Sequence, residues 1–275
     1  MPYLTVGRDA GDIQIYFEDH GTGKPVILIH GFPLSGRSWE KQIAALLDAG
    51  LRVITYDRRG FGQSSQTSMG YNYDVFTEDL CKLTKHLNLK RFSLVGFSMG
   101  GGEVARFMGR FGTTNVEKAV FISATPPFLL KSPENPGGVE DSVRATLEAA
   151  AKKDRLTFLT SFLENFYNAD TLLGSRLTEE DLRYSWNIGA MASPVGTVSC
   201  VKTWWTDFRP DVARIDVPTL IIHGDADRTL PIDGTARPLQ RAIRGSRLAV
   251  IEGAPHGLLT THADKVNPLL VDFLK

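Results

Sequence analysis

The sequence predicts an α/β fold in which a mostly parallel central sheet is flanked by helices and carries an inserted helical cap. Short apolar runs alternate with stretches of helical spacing along most of the chain. Parallel strands need a helical crossover between them, so this alternation is typical of a sheet covered on both faces. It stops near residue 125 and resumes near residue 212. We therefore expect a core of residues 1–124 and 212–275 and a cap at 125–211.

The predicted strands are short and apolar. Residues 13–18 alternate with period two, as in a strand near a sheet edge. Later apolar runs follow, and the one at residues 25–30 is continuous, as in a strand buried on both faces. They lie at residues 25–30, 52–56, 92–95, 119–122, 218–223 and 248–251.

Helical spacing separates these runs. Residues 38–49 have apolar side chains at helical intervals. Residues 74–87 are predicted to form a helix with Asp74 as its N-cap. Another helix is expected from Met99, and the last one from about residue 263 to residue 274.

The predicted cap opens with two prolines and a loop rich in proline and glycine, followed by helical patterns. Phe158, Phe162 and Phe166 recur at every fourth position of one such pattern. Such a stripe is more often helix core than substrate contact. Ligand pockets are nevertheless mostly apolar, so one or two of these rings are expected to line one. The candidates for the pocket wall are Pro33, Phe128, Phe158, Phe162 and Ile232.

Composition narrows the class of partner. Lys plus Arg equals Asp plus Glu at 31 each, so the net charge is zero. Nucleic acid or an anionic membrane surface would favour a basic excess, so neither is an expected partner. The first residues show no secretory signal, and no apolar stretch approaches the length of a membrane span. We expect a cytoplasmic enzyme.

The chain has two cysteines, Cys81 and Cys200. A disulfide framework would need more of them, and no spacing typical of metal ligands is present. We expect both to be free thiols, and we expect no metal site.

The most informative motif is Gly-Phe-Ser-Met-Gly at residues 96–100. It follows an apolar run and precedes a helical pattern, which predicts a sharp strand-to-helix turn with Ser98 at its apex. A hydroxyl at that place projects at the N-terminus of a helix, where backbone N–H groups favour negative charge. Ser98 is therefore the candidate nucleophile, and an ordinary turn serine is the weaker interpretation.

A serine nucleophile needs a base, and the base needs an acid that orients it. On a parallel sheet of this type the chain order is serine, then acid, then histidine, each on the loop after a strand. The loops after the last two predicted strands carry Asp227 and His256. Asp225 competes for the acid role, but it directly follows the strand and is expected to bond backbone within the turn.

The oxyanion of an acyl-transfer reaction needs two backbone N–H donors. Met99, directly after the nucleophile, is one candidate. The loop after the strand at 25–30 is expected to supply the other, and Phe32 is the candidate there. Pro33 has no N–H group and cannot donate.

Other polar residues have simpler interpretations. His30 and His223 each end a predicted strand and precede glycine, so we interpret them as packed or hydrogen-bonded strand ends and not as ligands. Arg58 and Arg59 are interpreted as a solvated or sheet-end feature.

Four segments together resemble bacterial arylesterases and cofactor-free haloperoxidases, a group of perhydrolases with γ-lactamase-like relatives. They are Asp-Arg-Arg-Gly-Phe-Gly at 57–62, the strand-to-helix turn around Ser98 (the elbow) at 95–102, Asp-Phe-Arg-Pro-Asp at 207–211 and Ala-Pro-His-Gly at 254–257. The resemblance covers essentially the whole chain and implies the α/β-hydrolase fold. It implies a serine esterase for small neutral, aryl or lactone esters that also passes its acyl group to hydrogen peroxide. The resulting peracid would oxidise halide away from the enzyme.

The resemblance also implies a homo-oligomer and no metal, haem or flavin. In this group, proline directly after the oxyanion-loop aromatic goes with stronger perhydrolysis. As a hypothesis, Pro33 fixes φ and redirects a neighbouring carbonyl that accepts a hydrogen bond from peroxide.

Several alternatives stay open at this point. A γ-lactamase, another amidase or a carbon–carbon bond hydrolase would keep the same triad. A haloalkane dehalogenase or an epoxide hydrolase would carry aspartate at the elbow, and Ser98 is evidence against both. A ligand receptor built on the same fold is the alternative from another class.

Overall fold

The computed structural model describes residues 2–275. Within this range one sheet has eight strands in the order β1-β2-β4-β3-β5-β6-β7-β8. The strands are β1 (Tyr3–Arg8), β2 (Asp12–His20), β3 (Pro25–Ile29), β4 (Arg52–Tyr56), β5 (Phe92–Phe97), β6 (Val116–Ile122), β7 (Thr219–Gly224) and β8 (Arg247–Ile251). β1 and β2 pair antiparallel with their neighbours, and the pairs from β4 to β8 are parallel.

Helices cover the sheet. They are α1 (Glu40–Asp48), α2 (Tyr73–His86), α3 (Met99–Phe111), α4 (Asp141–Lys153), α5 (Arg155–Phe166), α6 (Ala169–Leu172), α7 (Glu179–Ala190), α8 (Pro194–Thr203), α9 (Arg209–Val212), α10 (Ala236–Ala242), α11 (Leu258–Thr261) and α12 (Ala263–Leu274). A 3₁₀ turn at Gly36–Trp39 precedes α1. The predicted α/β fold is thereby confirmed.

The continuously apolar runs form the centre of the sheet. Every residue of β5 and β7 is buried, as is every residue of β3 after Pro25. Such strands are covered on both faces, which explains why apolar residues dominate their pattern. The amino-terminal strand β1 was not predicted, because most of its residues are exposed and carry little apolar signal.

One predicted helix start was wrong. α2 begins at Tyr73, and the side chain of Asn72 caps it by accepting a hydrogen bond from the Val75 N–H. Asp74 lies inside the first turn, where its negative charge interacts favourably with the positive end of the helix dipole. Both residues suit a helix start, so the pattern alone did not separate them.

The helices α4 to α9 lie between β6 and β7 in the chain. They occupy the region for which a cap at 125–211 was expected. Its separation from the core as a distinct domain stays a prediction. Both cysteines are free thiols, and Cys200 is buried. No helix in residues 2–275 is long and apolar enough to cross a membrane.

Candidate active site

Ser98 lies between β5 and α3 in a strained turn. Its φ is +53° and its ψ is −119°, a conformation that few residues other than glycine adopt. A Cβ at Gly96 would stand 2.5 Å from the Gly100 carbonyl oxygen, and one at Gly100 would stand 2.2 Å from the Ile29 carbonyl oxygen. Only glycine fits at these two places, so the motif follows from the tight packing of the turn against β3.

Three side chains predicted from separate loops meet at this turn. His256 Nε2 lies 2.8 Å from Ser98 Oγ, and His256 Nδ1 lies 2.8 Å from Asp227 Oδ2. An ionised carboxylate only accepts, so Nδ1 carries the proton and Nε2 is left to accept the hydroxyl proton of Ser98. This tautomer makes the histidine a base directed at the serine.

The carboxylate of Asp227 is buried, and both of its oxygens accept hydrogen bonds. Its Oδ1 accepts the N–H groups of Thr229 at 2.9 Å and Leu230 at 2.7 Å. Burial by itself raises the pKa of Asp227, but the interactions with His256 and His223 outweigh it and hold that pKa well below its usual value. The competing Asp225 is exposed and accepts the N–H of Gly253 at 2.7 Å, so it links two loops without reaching the histidine.

Two aromatic rings enclose the imidazole of His256. The Phe166 ring centroid lies 4.7 Å away, edge to face, and the Phe97 ring centroid lies 5.4 Å away. His256 is fully buried as a result. These rings exclude water from the imidazole and restrict its rotation, so its two hydrogen bonds are held in one geometry.

The two predicted oxyanion donors lie on the two segments beside Ser98. Met99 is the first residue of α3, and Phe32 lies on the loop after β3. That loop touches the serine, since a Cβ at Gly31 would stand 2.9 Å from Ser98 Cβ. Met99 and Phe32 are buried, and no group in residues 2–275 accepts from their N–H groups. Buried unpaired N–H groups are rare, and two beside one serine suit an oxyanion site.

Arg58 connects these two segments. It lies just after the end of β4, as the sheet-end interpretation expected, but it is not solvated. Its side chain is 1% exposed. Its Nε donates to Glu103 on α3 at 2.8 Å, and its Nη2 donates to the carbonyl of His30 at 2.9 Å. Tyr56 donates its hydroxyl to the other oxygen of Glu103. A buried arginine thus ties the helix that bears Met99 to the loop that bears Phe32.

The neighbouring Arg59 also lies at the end of β4 and is likewise not solvated. It forms a buried bidentate pair with Asp79 on α2, at 2.7 and 2.8 Å. This pair joins the loop after β4 to α2. Composition gives no signal for either pair, because the acidic partners lie 20 and 45 residues further along the chain.

His30 is a hydrogen-bonded strand end, as predicted. Its Nε2 accepts the backbone N–H of Arg58 at 3.0 Å, so Nδ1 is the nitrogen that donates to the Gly31 carbonyl at 2.9 Å. Burial, followed by the nearby Arg58 charge, holds the pKa of His30 well below its usual value. The neutral ring therefore supports the loop that leads to Phe32.

The ring of Phe32 is the centre of an aromatic cluster. Phe162 lies 5.5 Å away, Phe158 lies 6.4 Å away and Trp204 lies 4.7 Å away between ring centroids. Phe158 and Phe162 also line a cleft of about 450 Å³ between α4 and α5. Trp204 was not among the predicted wall residues. Its position near the end of α8 gave no periodic signal.

The other predicted wall residues have different surroundings. Pro33 is buried against α7, where a Cβ at Gly189 would stand 3.1 Å from the Pro33 ring. Phe128 packs under the guanidinium of Arg209, 4.8 Å from its ring centroid, and makes no ring contact with the Phe32 cluster. Ile232 is buried. Roles of these three in a substrate pocket stay predictions.

The structure from residue 2 to residue 275 offers no cluster of metal-ligating side chains. No group of three or more His, Cys, Asp and Glu side chains there could hold a metal ion.

The chain is similar to known enzymes along its whole length. A putative non-heme chloroperoxidase of Synechocystis sp. is 55% identical over all of both chains. A bifunctional esterase/perhydrolase of Acinetobacter calcoaceticus is 32% identical, also over all of both chains. The crystal structure of a bromoperoxidase from Bacillus anthracis superimposes with a TM-score of 0.94 at 49% identity, covering 99% of this chain and 98% of the other.

A family profile described as the α/β-hydrolase fold matches residues 24–263. The matched range includes the turn at Ser98, both candidate oxyanion donors and the three residues of the predicted triad. The chain therefore belongs to the α/β-hydrolase fold family, in the group of the non-heme haloperoxidases and esterase/perhydrolases.

Proposed function

We propose that this protein is a serine esterase that forms an acyl-enzyme on Ser98 and transfers the acyl group to water or to hydrogen peroxide. The observation that carries the proposal is the unbroken chain of hydrogen bonds from Asp227 through His256 to Ser98. Relatives named non-heme chloroperoxidase and esterase/perhydrolase support the same chemistry.

In the first half of the reaction His256 Nε2 takes the hydroxyl proton as Ser98 Oγ attacks the ester carbonyl carbon. The N–H groups of Phe32 and Met99 hold the negative oxygen of the tetrahedral intermediate. His256 then gives its proton to the leaving alcohol oxygen, and the bond from the acyl carbon to that oxygen breaks. Asp227 keeps the imidazole in the tautomer that both transfers require.

In the second half His256 takes a proton from water or peroxide as the oxygen attacks the acyl carbon, and it returns that proton to Ser98 Oγ as the bond from the acyl carbon to Oγ breaks. Water gives a carboxylic acid, and hydrogen peroxide gives a peracid. A peracid oxidises bromide to hypobromous acid in solution and becomes a carboxylic acid. Halide therefore needs no binding site in this account.

The substrates are proposed to be small neutral, aryl or lactone esters. The rings of Phe32, Phe158, Phe162 and Trp204 give the neighbourhood of the site an apolar, aromatic surface that suits uncharged acyl and aryl groups. A homo-oligomeric state and a cytoplasmic location belong to the same proposal and stay predictions from the sequence.

An aryl acetate assay tests the proposal. Wild-type protein should release the phenol, and Ser98→Ala should reduce the rate by several orders of magnitude. Ser93→Ala is the matched control, because it removes a buried hydroxyl from the other end of β5. Turnover by Ser98→Ala equal to that of the control would refute a serine mechanism, and no turnover by wild type would favour a receptor.

Adding hydrogen peroxide tests the second acceptor. The assay should then yield peracid, detected as bromination of a dye, and the yield should vanish in Ser98→Ala. Replacing Pro33 by Leu should lower the ratio of perhydrolysis to hydrolysis. An unchanged ratio would discard the proposed role of Pro33.

A further inference from the structure

His223 lies beside the triad but takes no part in the mechanism above. It belongs to β7, four residues before Asp227, and is fully buried. Its Nε2 lies 2.8 Å from the carbonyl oxygen of Leu230 and 3.2 Å from Asp227 Oδ2. The same carboxylate oxygen lies 2.8 Å from His256 Nδ1, so two imidazoles share it.

The partners of His223 fix its tautomer. A carbonyl oxygen and a carboxylate oxygen can only accept, so Nε2 must carry the proton that it shares between Leu230 and Asp227. The other nitrogen, Nδ1, is buried and has no hydrogen-bond partner among residues 2–275. The ring therefore directs its N–H at the carboxylate and has an unpaired nitrogen on its other side.

This contact completes the surroundings of the Asp227 carboxylate. Its Oδ1 accepts from the N–H groups of Thr229 and Leu230, and its Oδ2 accepts from His256 and His223. A carboxylate offers about four lone-pair sites. Leu230 both donates to the carboxylate and accepts from His223 through its own backbone, so the loop and the carboxylate are held as one unit.

We propose that His223 is a positioning residue that holds the Asp227 carboxylate in the orientation required by His256. The inference rests on the proposed serine mechanism. Without His223, one lone pair of Oδ2 and the carbonyl of Leu230 lose their donor. The carboxylate can then rotate about its bond to Cβ, and the imidazole of His256 follows it.

Three variants separate positioning from mere packing. His223→Leu removes the donor, His223→Gln places an amide N–H near the position of Nε2, and Asp225→Ala loosens the same loop without touching the carboxylate. We expect His223→Leu to lower kcat for an aryl acetate about tenfold, or about 1.4 kcal/mol of transition-state stabilisation, with KM little changed. His223→Gln should recover most of the loss, and Asp225→Ala should keep wild-type kcat.

Proton NMR supplies a readout that packing alone does not move. The proton between His256 Nδ1 and Asp227 should give a strongly deshielded resonance in wild type, and His223→Leu should shift or broaden it while His223→Gln restores it. A folded His223→Leu with wild-type kcat and an unchanged resonance would overturn the proposal. So would a His223→Gln that behaves like His223→Leu.

If His223→Leu does not fold, the comparison of His223→Gln with His223→Asn replaces it. The shorter asparagine amide ends near the position of Nδ1, so it should fail where glutamine succeeds, and equal kcat values would overturn the proposal. If wild type turns over no ester, the proposed function fails, but the resonance still reports whether His223 positions Asp227.

Discussion

Replacing Arg58 by Met tests whether a buried ion pair holds the two halves of the proposed oxyanion site together. The change leaves Glu103 buried without its cation and leaves the His30 carbonyl without the guanidinium donor. Removing one partner of a buried pair typically costs about 3–5 kcal/mol. Burial raises the pKa of Glu103 well above its usual value, so the abandoned carboxyl can take up a proton and the loss should lie near the lower figure, about 3 kcal/mol.

The same change should also reduce the rate. An oxyanion donor acts mainly in the transition state, so displacement of Phe32 relative to Met99 lowers kcat and leaves KM nearly unchanged. Loss of one donor costs a factor of about 10²–10³, and a displaced donor should cost at least about tenfold. Urea unfolding and aryl acetate kinetics measure the two effects on one preparation.

Arg59→Met is the matched control for this prediction. It breaks a neighbouring buried pair with Asp79, which joins the loop after β4 to α2 and makes no hydrogen bond to the oxyanion loop. It should lower the free energy of unfolding and leave kcat unchanged. Equal kcat losses in the two variants would refute the specific role of Arg58, as would an Arg58→Met that keeps both wild-type stability and wild-type kcat.

Three further changes probe other parts of the site. Asp227→Asn should lower kcat by up to about 10⁴, because the amide favours the wrong tautomer of His256, and steady-state kinetics with unchanged circular dichroism would verify it. Gly100→Ala would place a Cβ 2.2 Å from the Ile29 carbonyl, so we expect loss of folded protein, and a wild-type melting temperature would contradict the packing argument. Burial keeps the pKa of His30 well below 6.5 in the folded protein. As the pH falls through 6.5, the imidazole of His30 therefore takes up a proton only in the unfolded chain, and the free energy of unfolding decreases. His30→Gln should reduce the slope of the free energy of unfolding against pH by about 1.4 kcal/mol per pH unit, the value for one proton. Urea unfolding curves measured between pH 5 and 6 check this.

The centre of the sheet and the hydrogen-bonded arrangement of Ser98, His256 and Asp227 were predictable because each leaves a local signal. A buried parallel strand is a continuous apolar run, and the position of a residue just after such a run places it at the carboxyl edge of the sheet. Ser98, Asp227 and His256 all follow runs of this kind. The closing helix was predicted over residues 263–274, and the structure gives Ala263–Leu274.

Features that depend on distant partners were not predictable. Arg58 and Arg59 lie in a polar, glycine-containing segment that is typical of an exposed loop. Their burial depends on Glu103 and Asp79, which come from other elements. A charged residue is rarely buried without a partner, so its burial can only be inferred once the partner's position is known.

The aromatic residues of the region between β6 and β7 show the same limit. The stripe that includes Phe158 and Phe162 was visible from its helical spacing, and both rings contact Phe32. The ring of Trp204 lies closer to Phe32 than either of them, but the sequence around Trp204 has no periodic pattern. Phe128 was predicted from its place in the chain, and its ring packs against Arg209.

The central claim is that Ser98 is the nucleophile activated by His256, and covalent labelling tests it most directly. Wild-type protein is treated with an aryl sulfonyl fluoride, and the site of the adduct is mapped by peptide mass spectrometry. We expect one adduct on Ser98, formed at least about a hundredfold more slowly when His256 is replaced by Ala. An adduct on a different residue, or labelling of Ser98 at the wild-type rate without His256, would contradict the account.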